Sequence, residues 1–281
     1  MRSNVNGHGG AVVTGAAGGL GQAIVRRLHN AGFAVHLTDV DEPAVRAFAE
    51  RLGGSAWGSS LDVGDPEACR AVARDTAQRA GSLALWVNNA GILRTGPSWG
   101  HSDEERRLLL SVNLEGTING TVAAVDEMRS ARRGHVLNVV SLSGIVVGGG
   151  QALYAASKHG ALAFGIGTAL DLRLEGLRDI HISSLCPHGI WTPMLHELAA
   201  DPSAAASWAG TKMLQPDEVA DVAMELVRRP RPFRAVPRSQ GPLLRLYAAM
   251  PRLMLATIPT LMKAARRTQR AFLESDGGPG A

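Results

Sequence analysis

Short runs of β-branched and aliphatic residues alternate along the chain with longer stretches in which apolar residues, mostly Ala and Leu, recur every three or four positions. The first pattern is that of buried strands and the second that of amphipathic helices, so the alternation predicts successive βα units. Strands are expected at Gly10–Thr14, Ala34–Asp39, 55–61, Leu83–Asn88, 135–141, 181–186 and, shortest, 234–236. Helices are expected at 20–31, Glu42–Leu52, Pro66–Ala80, 152–176 and 217–229, with one long helix or two abutting ones at 104–132. Parallel strands joined this way need right-handed crossovers, which gives an α/β fold with a doubly wound parallel sheet and helices on both faces. No internal repeat or low-complexity linker interrupts the pattern, so a single domain is expected over 1–238. A basic helical extension follows at 239–274, and 275–281 is expected to be unstructured.

Composition sharpens this picture in four places. Only 4% of the 281 residues are aromatic while 45% are hydrophobic, so the core must be built from small aliphatic side chains, which suits helices packed on a parallel sheet. The two cysteines, Cys69 and Cys186, form no CxxC or metal-ligand spacing. A disulfide framework and a metal site are therefore not expected, and a reducing, cytoplasmic setting is. The opening residues 1–10 carry no apolar run and read as no signal peptide, and the longest apolar stretch, 253–262, is broken by Pro259. The net charge of +4 is uneven: residues 228–273 hold eleven Lys or Arg and no Asp or Glu, so the rest of the chain carries a net −7.

The first candidate site follows the first strand, at Thr14-Gly15-Ala16-Ala17-Gly18-Gly19-Leu20-Gly21. Glycines there let the backbone turn tightly and approach a pyrophosphate, while the helix behind them presents its positive end. Eighteen residues after Gly21 the second strand ends in Asp39, followed by Val40. A carboxylate at that point accepts hydrogen bonds from both ribose hydroxyls of NAD and repels the 2′-phosphate of NADP, and no Lys or Arg nearby offsets it. NAD is therefore the expected cofactor.

Further along, several motifs fall in one order, and together with the glycine loop the chain resembles the short-chain dehydrogenase/reductases over about residues 8–237. The loop matches TGxxxGxG with Gly15, Gly19 and Gly21; Asp62-Val63 looks like the adenine-contacting pair; Asn88-Asn89-Ala90-Gly91 matches NNAG; and 187–192 resembles PGxxxT. The resemblance implies a Rossmann-type fold, an NAD-linked oxidoreductase, a homodimer or homotetramer, and a catalytic tetrad of Asn113, Ser141, Tyr154 and Lys158. It also implies cofactor contacts from Gly18, Leu20, Val40, Asn89, Ala90, Gly91, Tyr154, Lys158, Pro187, Ile190 and Thr192. One position departs from the pattern: His188 stands where the family has a glycine.

The residue chemistry agrees with the resemblance. Tyr154 and Lys158 are four apart on an expected helix and so project from one face. An ammonium and an oxidised nicotinamide beside a phenol both favour the phenolate, making Tyr154 a general base toward an alcohol or a general acid toward a ketone. Ser141 would hold the substrate oxygen, with Ser143 close enough to take that place, and Asn113 would keep a water in a proton path to Lys158.

Loops beyond the strand ends supply Leu93, Val147, Leu153, His188 and Trp191 as further substrate contacts, and 193–210 as a lid. Their apolar character favours a hydrophobic alcohol or ketone. In the extension, Leu and Met residues interleave with Arg, and Pro251 and Pro259 are expected to break it into short helices. It can pack over the substrate mouth, against a second subunit, or as a peripheral contact on an anionic membrane. Nucleic acid is not an expected partner, since no aromatic platform accompanies the basic residues. A non-catalytic NAD sensor or scaffold is the rival reading, as is a membrane-surface protein using the extension. The intact tetrad argues for an enzyme.

Overall fold

A computed structural model describes residues 9–210 and 212–275. Seven strands form one parallel sheet: β1 (Gly10–Thr14), β2 (Ala34–Asp39), β3 (Ala56–Ser60), β4 (Leu83–Asn88), β5 (Gly134–Val139), β6 (Ile180–Pro187) and β7 (Phe233–Val236). Their spatial order is β3-β2-β1-β4-β5-β6-β7, every neighbouring pair parallel. The order reverses between β1 and β4, and in such sheets the crevice beyond the strand ends at that point is where ligands bind. The strands are apolar runs rather than alternating ones because both faces of the sheet are covered. On one face lie α1 (Gly19–Asn30), α2 (Glu42–Leu52) and α8 (Pro216–Arg228), packed through Ile24, Leu28, Val45, Val219 and Ala223. On the other lie α3 (Pro66–Ala80), α5 (Gly116–Ala131) and α6 (Ala152–Leu174), packed around Trp86 and Met128. Both cysteines are buried and unpaired.

The helices start where the sequence supplies caps. Asp41 accepts from the Ala44 N–H at the start of α2, and Asp65 from Glu67 and Ala68 at α3. Ser102 and Glu105 form a reciprocal capping box at α4 (Asp103–Leu110). The long helical stretch predicted at 104–132 is α4 and α5 joined through a π-helical turn at Ser111–Glu115. By length and composition this Asp103–Ala131 rod could cross a membrane. It packs instead along the sheet, α5 lying against α3 and β4, with Asn113, Thr117 and Thr121 buried.

After β6 the chain forms the short α7 (Pro193–His196) and a 3₁₀ stretch at Pro202–Trp208 within the expected lid. The extension departs from expectation. It holds only two helices, α9 (Gln240–Ala248) and α10 (Pro251–Glu274), and α10 runs through Pro259 unbroken. Proline removes the hydrogen bond to the carbonyl of residue 255, but Leu255 is 80% exposed, so water can satisfy that carbonyl. The turns beyond it are anchored on the body: Ala265 and Gln269 are buried, and Gln269 Nε2 donates to the Ala199 and Asp201 carbonyls, both at 2.8 Å. Pro251 does mark a break, standing at the first turn of α10 where a missing N–H costs nothing. Apart from Ser275, the end expected to be unstructured lies outside the described residues, as do residues 1–8.

Candidate active site

A cavity of about 610 Å³ opens at the carboxyl ends of β1, β4, β5 and β6. One end is built from backbone. Gly15, Gly18, Gly19, Leu20, Gly21, Asp39, Asn89, Ala90 and Gly91 line it. Gly15 has φ +64°, which favours glycine, and a Cβ on Gly21 would lie 2.3 Å from the Gly15 carbonyl oxygen. Thr14 Oγ1 accepts from the Asn89 and Ala90 N–H groups, and Asn89 Nδ2 donates to the Thr14 and Gly15 carbonyls, so the loop and the NNAG segment brace each other. Asp39 Oδ2 accepts from the Ala17 N–H at 3.0 Å, tying the loop to the end of β2.

At the start of α1 the N-cap is Gly18, no side chain caps the turn, and no acidic residue lies in it. The first-turn N–H groups of Gly19, Leu20 and Gly21 thus have no intrahelical partner and border the cavity. An uncapped helix N-terminus beside a carboxylate that can hold a ribose fits a dinucleotide, with the pyrophosphate on α1 and the adenosine ribose at Asp39.

The other candidate cofactor residues divide. Pro187, Ile190 and Thr192 line the cavity. Val40 is 73% exposed and does not. Asp62 and Val63 also lie outside the lining: Asp62 Oδ1 accepts from the Gly64 N–H, and Val63 is buried with its carbonyl accepting from Asn119 Nδ2.

In the middle of the cavity stand Ser141, Tyr154 and Lys158. The tyrosine and lysine share one face of α6, and Lys158 Nζ lies 5.7 Å from the Tyr154 ring centre and donates to the Val139 carbonyl at 3.2 Å. Ser141 lies just past β5, and its Oγ accepts from the Ser143 N–H, which fixes the hydroxyl beside the phenol. Burial pushes the Tyr154 phenol up to about 12, against a smaller downward pull from the Ser141 hydroxyl. Burial pushes the Lys158 ammonium down to about 8. The expected bias toward the phenolate is therefore reversed in the chain by itself, because desolvation outweighs the hydrogen bond from Ser141.

Asn113 is fully buried behind this group rather than in the lining. It sits inside the π-helical turn, the kind of irregularity that often marks a functional position. Its Oδ1 accepts from the Ile92 N–H, while Nδ2 donates to the Ile92 carbonyl and to Ser157 Oγ. Asn113 Oδ1 and Lys158 Nζ flank one spot, each within 3.4 Å of where a Cβ on Gly91 would be.

The far end of the cavity is made of side chains. Of the expected substrate residues, Leu93, Ser143, Val147 and His188 line it, and Leu153 and Trp191 do not. Leu153 is the helical neighbour of Tyr154, so the two cannot share a face. Trp191 packs under the lid, its ring 4.0 Å from that of His196 and 4.9 Å from that of Phe272. The roof comes from the extension: Leu243, Leu244, Tyr247, Ile258, Leu261 and Met262. No motif marks these as site residues, although the apolar spacing of the tail predicts a packed helix face. Phe272 also meets Trp208, so α10 clamps the lid from outside.

Three lining residues, His188, Trp208 and Gln240, carry buried polar atoms (Nδ1, Nε1 and Oε1) without a partner among the described residues. Burial lowers the His188 pKa, which keeps the ring neutral near pH 7. Its ring lies about 3 Å from where a Cβ on Gly210 would be, so the glycine two residues after Trp208 makes room for the histidine that replaces the usual glycine.

Comparison with known proteins agrees with this geometry. The short chain dehydrogenase family profile matches residues 10–203. The chain is 34% identical over 221 residues to the 1-deoxy-11-beta-hydroxypentalenate dehydrogenase of Streptomyces exfoliatus, covering 76% of this chain and 78% of that one. It is 37% identical over 227 residues to the L-fucose dehydrogenase of Bos taurus, covering 76% and 81%. A crystal structure of a short chain dehydrogenase/reductase from Burkholderia phymatum in complex with NAD shares the fold, with a TM-score of 0.79 at 24% identity over 89% of this chain and 96% of that one. The chain belongs to the short-chain dehydrogenase/reductase family and is an oxidoreductase of that family. The matched profile ends within the lid, so α9 and α10 lie beyond it.

Proposed function

We propose that the protein interconverts a hydrophobic secondary alcohol and its ketone using NAD(H), with Tyr154 moving the proton. The observation that carries this reading is the convergence of Ser141, Tyr154 and Lys158 between a backbone-built cradle and an apolar chamber in one cavity. When bound, NAD would take or give the hydride and, in its oxidised form, bring a positive charge. Ser141 Oγ orients the substrate oxygen toward the Tyr154 hydroxyl. The buried phenol, protonated at neutral pH, is a ready donor to a ketone oxygen; in the alcohol direction it accepts the hydroxyl proton as a phenolate stabilised by Lys158. Asn113 positions the Ile92 backbone and the neighbourhood of Lys158, where a proton path to solvent would run.

NAD is favoured over NADP because Asp39 lines the cavity and, among the described residues, no arginine does. The named relatives act on chemically different alcohols, so the substrate is argued from the chamber. Its aliphatic wall calls for an apolar body. The unpartnered atoms of His188, Trp208 and Gln240 call for a second, uncharged oxygen group on that body.

A screen following absorbance at 340 nm tests this. NAD and NADP are offered with steroidal, terpenoid, benzylic and aliphatic alcohols, and NADH and NADPH with the matching ketones, each with and without a second oxygen. NAD-linked turnover that is lost in Tyr154→Phe supports the reaction class, and higher kcat/KM for the dioxygenated members supports the substrate class. Silence across the panel despite tight NADH binding would sink the reading.

A further inference from the structure

We propose that the elbow between α9 and α10 docks the protein on an anionic lipid surface, with the mouth of the cavity against the lipid. The elbow leaves an unusual amount of apolar side chain uncovered: Leu246 is 63% exposed, Leu253 43%, Leu255 80% and Leu261 53%. Scattered exposed leucines are ordinary, but these fall within sixteen residues, on either side of the short turn between α9 and α10. They also continue into the cavity. Leu243 and Leu261 are both exposed and part of its lining, and Tyr247 and Ile258 line it from the same two helices. The apolar surface therefore runs from the outside of the elbow over the rim into the chamber.

Charge selects the occupant. From 239 to 273 the extension carries Arg245, Arg252, Lys263, Arg266, Arg267 and Arg270 and no acidic residue. On α10 the positions 252, 263, 266, 267 and 270 follow a helical repeat and form one exposed stripe, flanked by the exposed Leu253 and Leu255, while Met254, Ile258 and Met262 turn toward the body. A basic stripe edged by uncovered leucines suits a membrane interface, its arginines against anionic headgroups and the leucines entering the headgroup boundary. A second copy is the poorer occupant. A twofold contact sets the same patch against itself, and would bring two wholly basic extensions together. The inward half of α10 is already committed to the lid through Gln269 and Phe272, which holds the elbow in a fixed pose instead of leaving a loose tail.

The docking stands independently of the reaction. Its consequence, that an apolar substrate enters from the lipid side without crossing water, rests on the alcohol/ketone reading above.

The test is flotation of the full chain with vesicles of phosphatidylcholine alone and of phosphatidylcholine mixed with phosphatidylglycerol, at low and high salt. The expected result is flotation with the anionic vesicles, weakened by salt. Leu246→Glu with Leu255→Glu, two residues outside the cavity lining, should lower the bound fraction about tenfold or more, and NADH binding and the molar mass in solution should stay unchanged. A second variant, Arg252→Gln, Arg266→Gln, Arg267→Gln and Arg270→Gln, should abolish the preference for anionic vesicles with the apolar surface intact. Failure of the wild type to float with anionic vesicles overturns the proposal, as does flotation indifferent to both variants. A fall in molar mass in the Glu variant also overturns it, because the patch would then be a contact between copies. Flotation reads no turnover, so a silent substrate screen would leave this result standing.

Discussion

The two ends of the cavity are built by different means. At the dinucleotide end the contacts come from backbone: a left-handed Gly15, the close-packed Gly21 and the free N–H groups of the first turn of α1. At the far end they come from side chains, supplied by the lid and by two helices that follow the last strand. Backbone geometry demands particular residue types at fixed spacing, because only glycine tolerates the turn and only an uncapped helix start offers its N–H groups. An apolar wall demands only volume and hydrophobicity, which many sequences satisfy. The first end is therefore legible as a motif in the sequence, and the second is not.

Substitutions can break this contrast at either end. The largest effect is expected between them: Tyr154→Phe should lower kcat by about a thousandfold or more, while NADH binding, followed by fluorescence, stays within about twofold. At the backbone end, Gly21→Ala places a methyl group against the Gly15 carbonyl and should weaken NADH binding by about a hundredfold. A conserved affinity would show that the loop can shift without cost. Asp39→Ala acts on specificity, raising kcat/KM for NADP relative to NAD by roughly tenfold to a hundredfold; an unchanged ratio would refute the reading of that carboxylate.

At the side-chain end effects should be smaller. Gln269→Ala leaves the Ala199 and Asp201 carbonyls without their donor and should cost about 1–3 kcal/mol in urea unfolding, with a raised KM for substrate and an unchanged KM for NAD. The smallest effect is a slope. Lys158 titrates near 8 in the folded chain, below its ordinary 10.5, so between those values the unfolded chain holds more protons and stability rises with pH. Lys158→Met should remove that rise, so that its stability relative to wild type is best below pH 8 and declines by about 1–2 kcal/mol toward pH 10.

The same contrast explains what could be read in the sequence. The strands, the crossover helices, Asp39 and the Tyr154–Lys158 pair follow from periodicity and spacing, which are local. Leu153 and Trp191 lie in the right part of the sequence, yet helix phase turns one away from Tyr154 and ring packing draws the other under the lid. Pro259 reads as a helix breaker because propensity is local, whereas exposure of the orphaned Leu255 carbonyl and anchoring by Gln269 are tertiary. The π-helical turn that holds Asn113 carries no composition signal either. The unpartnered polar atoms of His188, Trp208 and Gln240 emerge only when three distant segments meet.

The uncapped start of α1 has a thermodynamic consequence. Helices α2, α3 and α4 end in side chains that satisfy their first N–H groups, and α1 delegates that task to whatever anion occupies the cavity. A ligand that binds only the native state shifts the unfolding equilibrium by RT ln(1 + [L]/Kd), about 2.7 kcal/mol at a hundred times Kd. Part of the folding free energy of this chain thus resides in its cofactor, and its lifetime against heat and proteases will track the dinucleotide concentration around it.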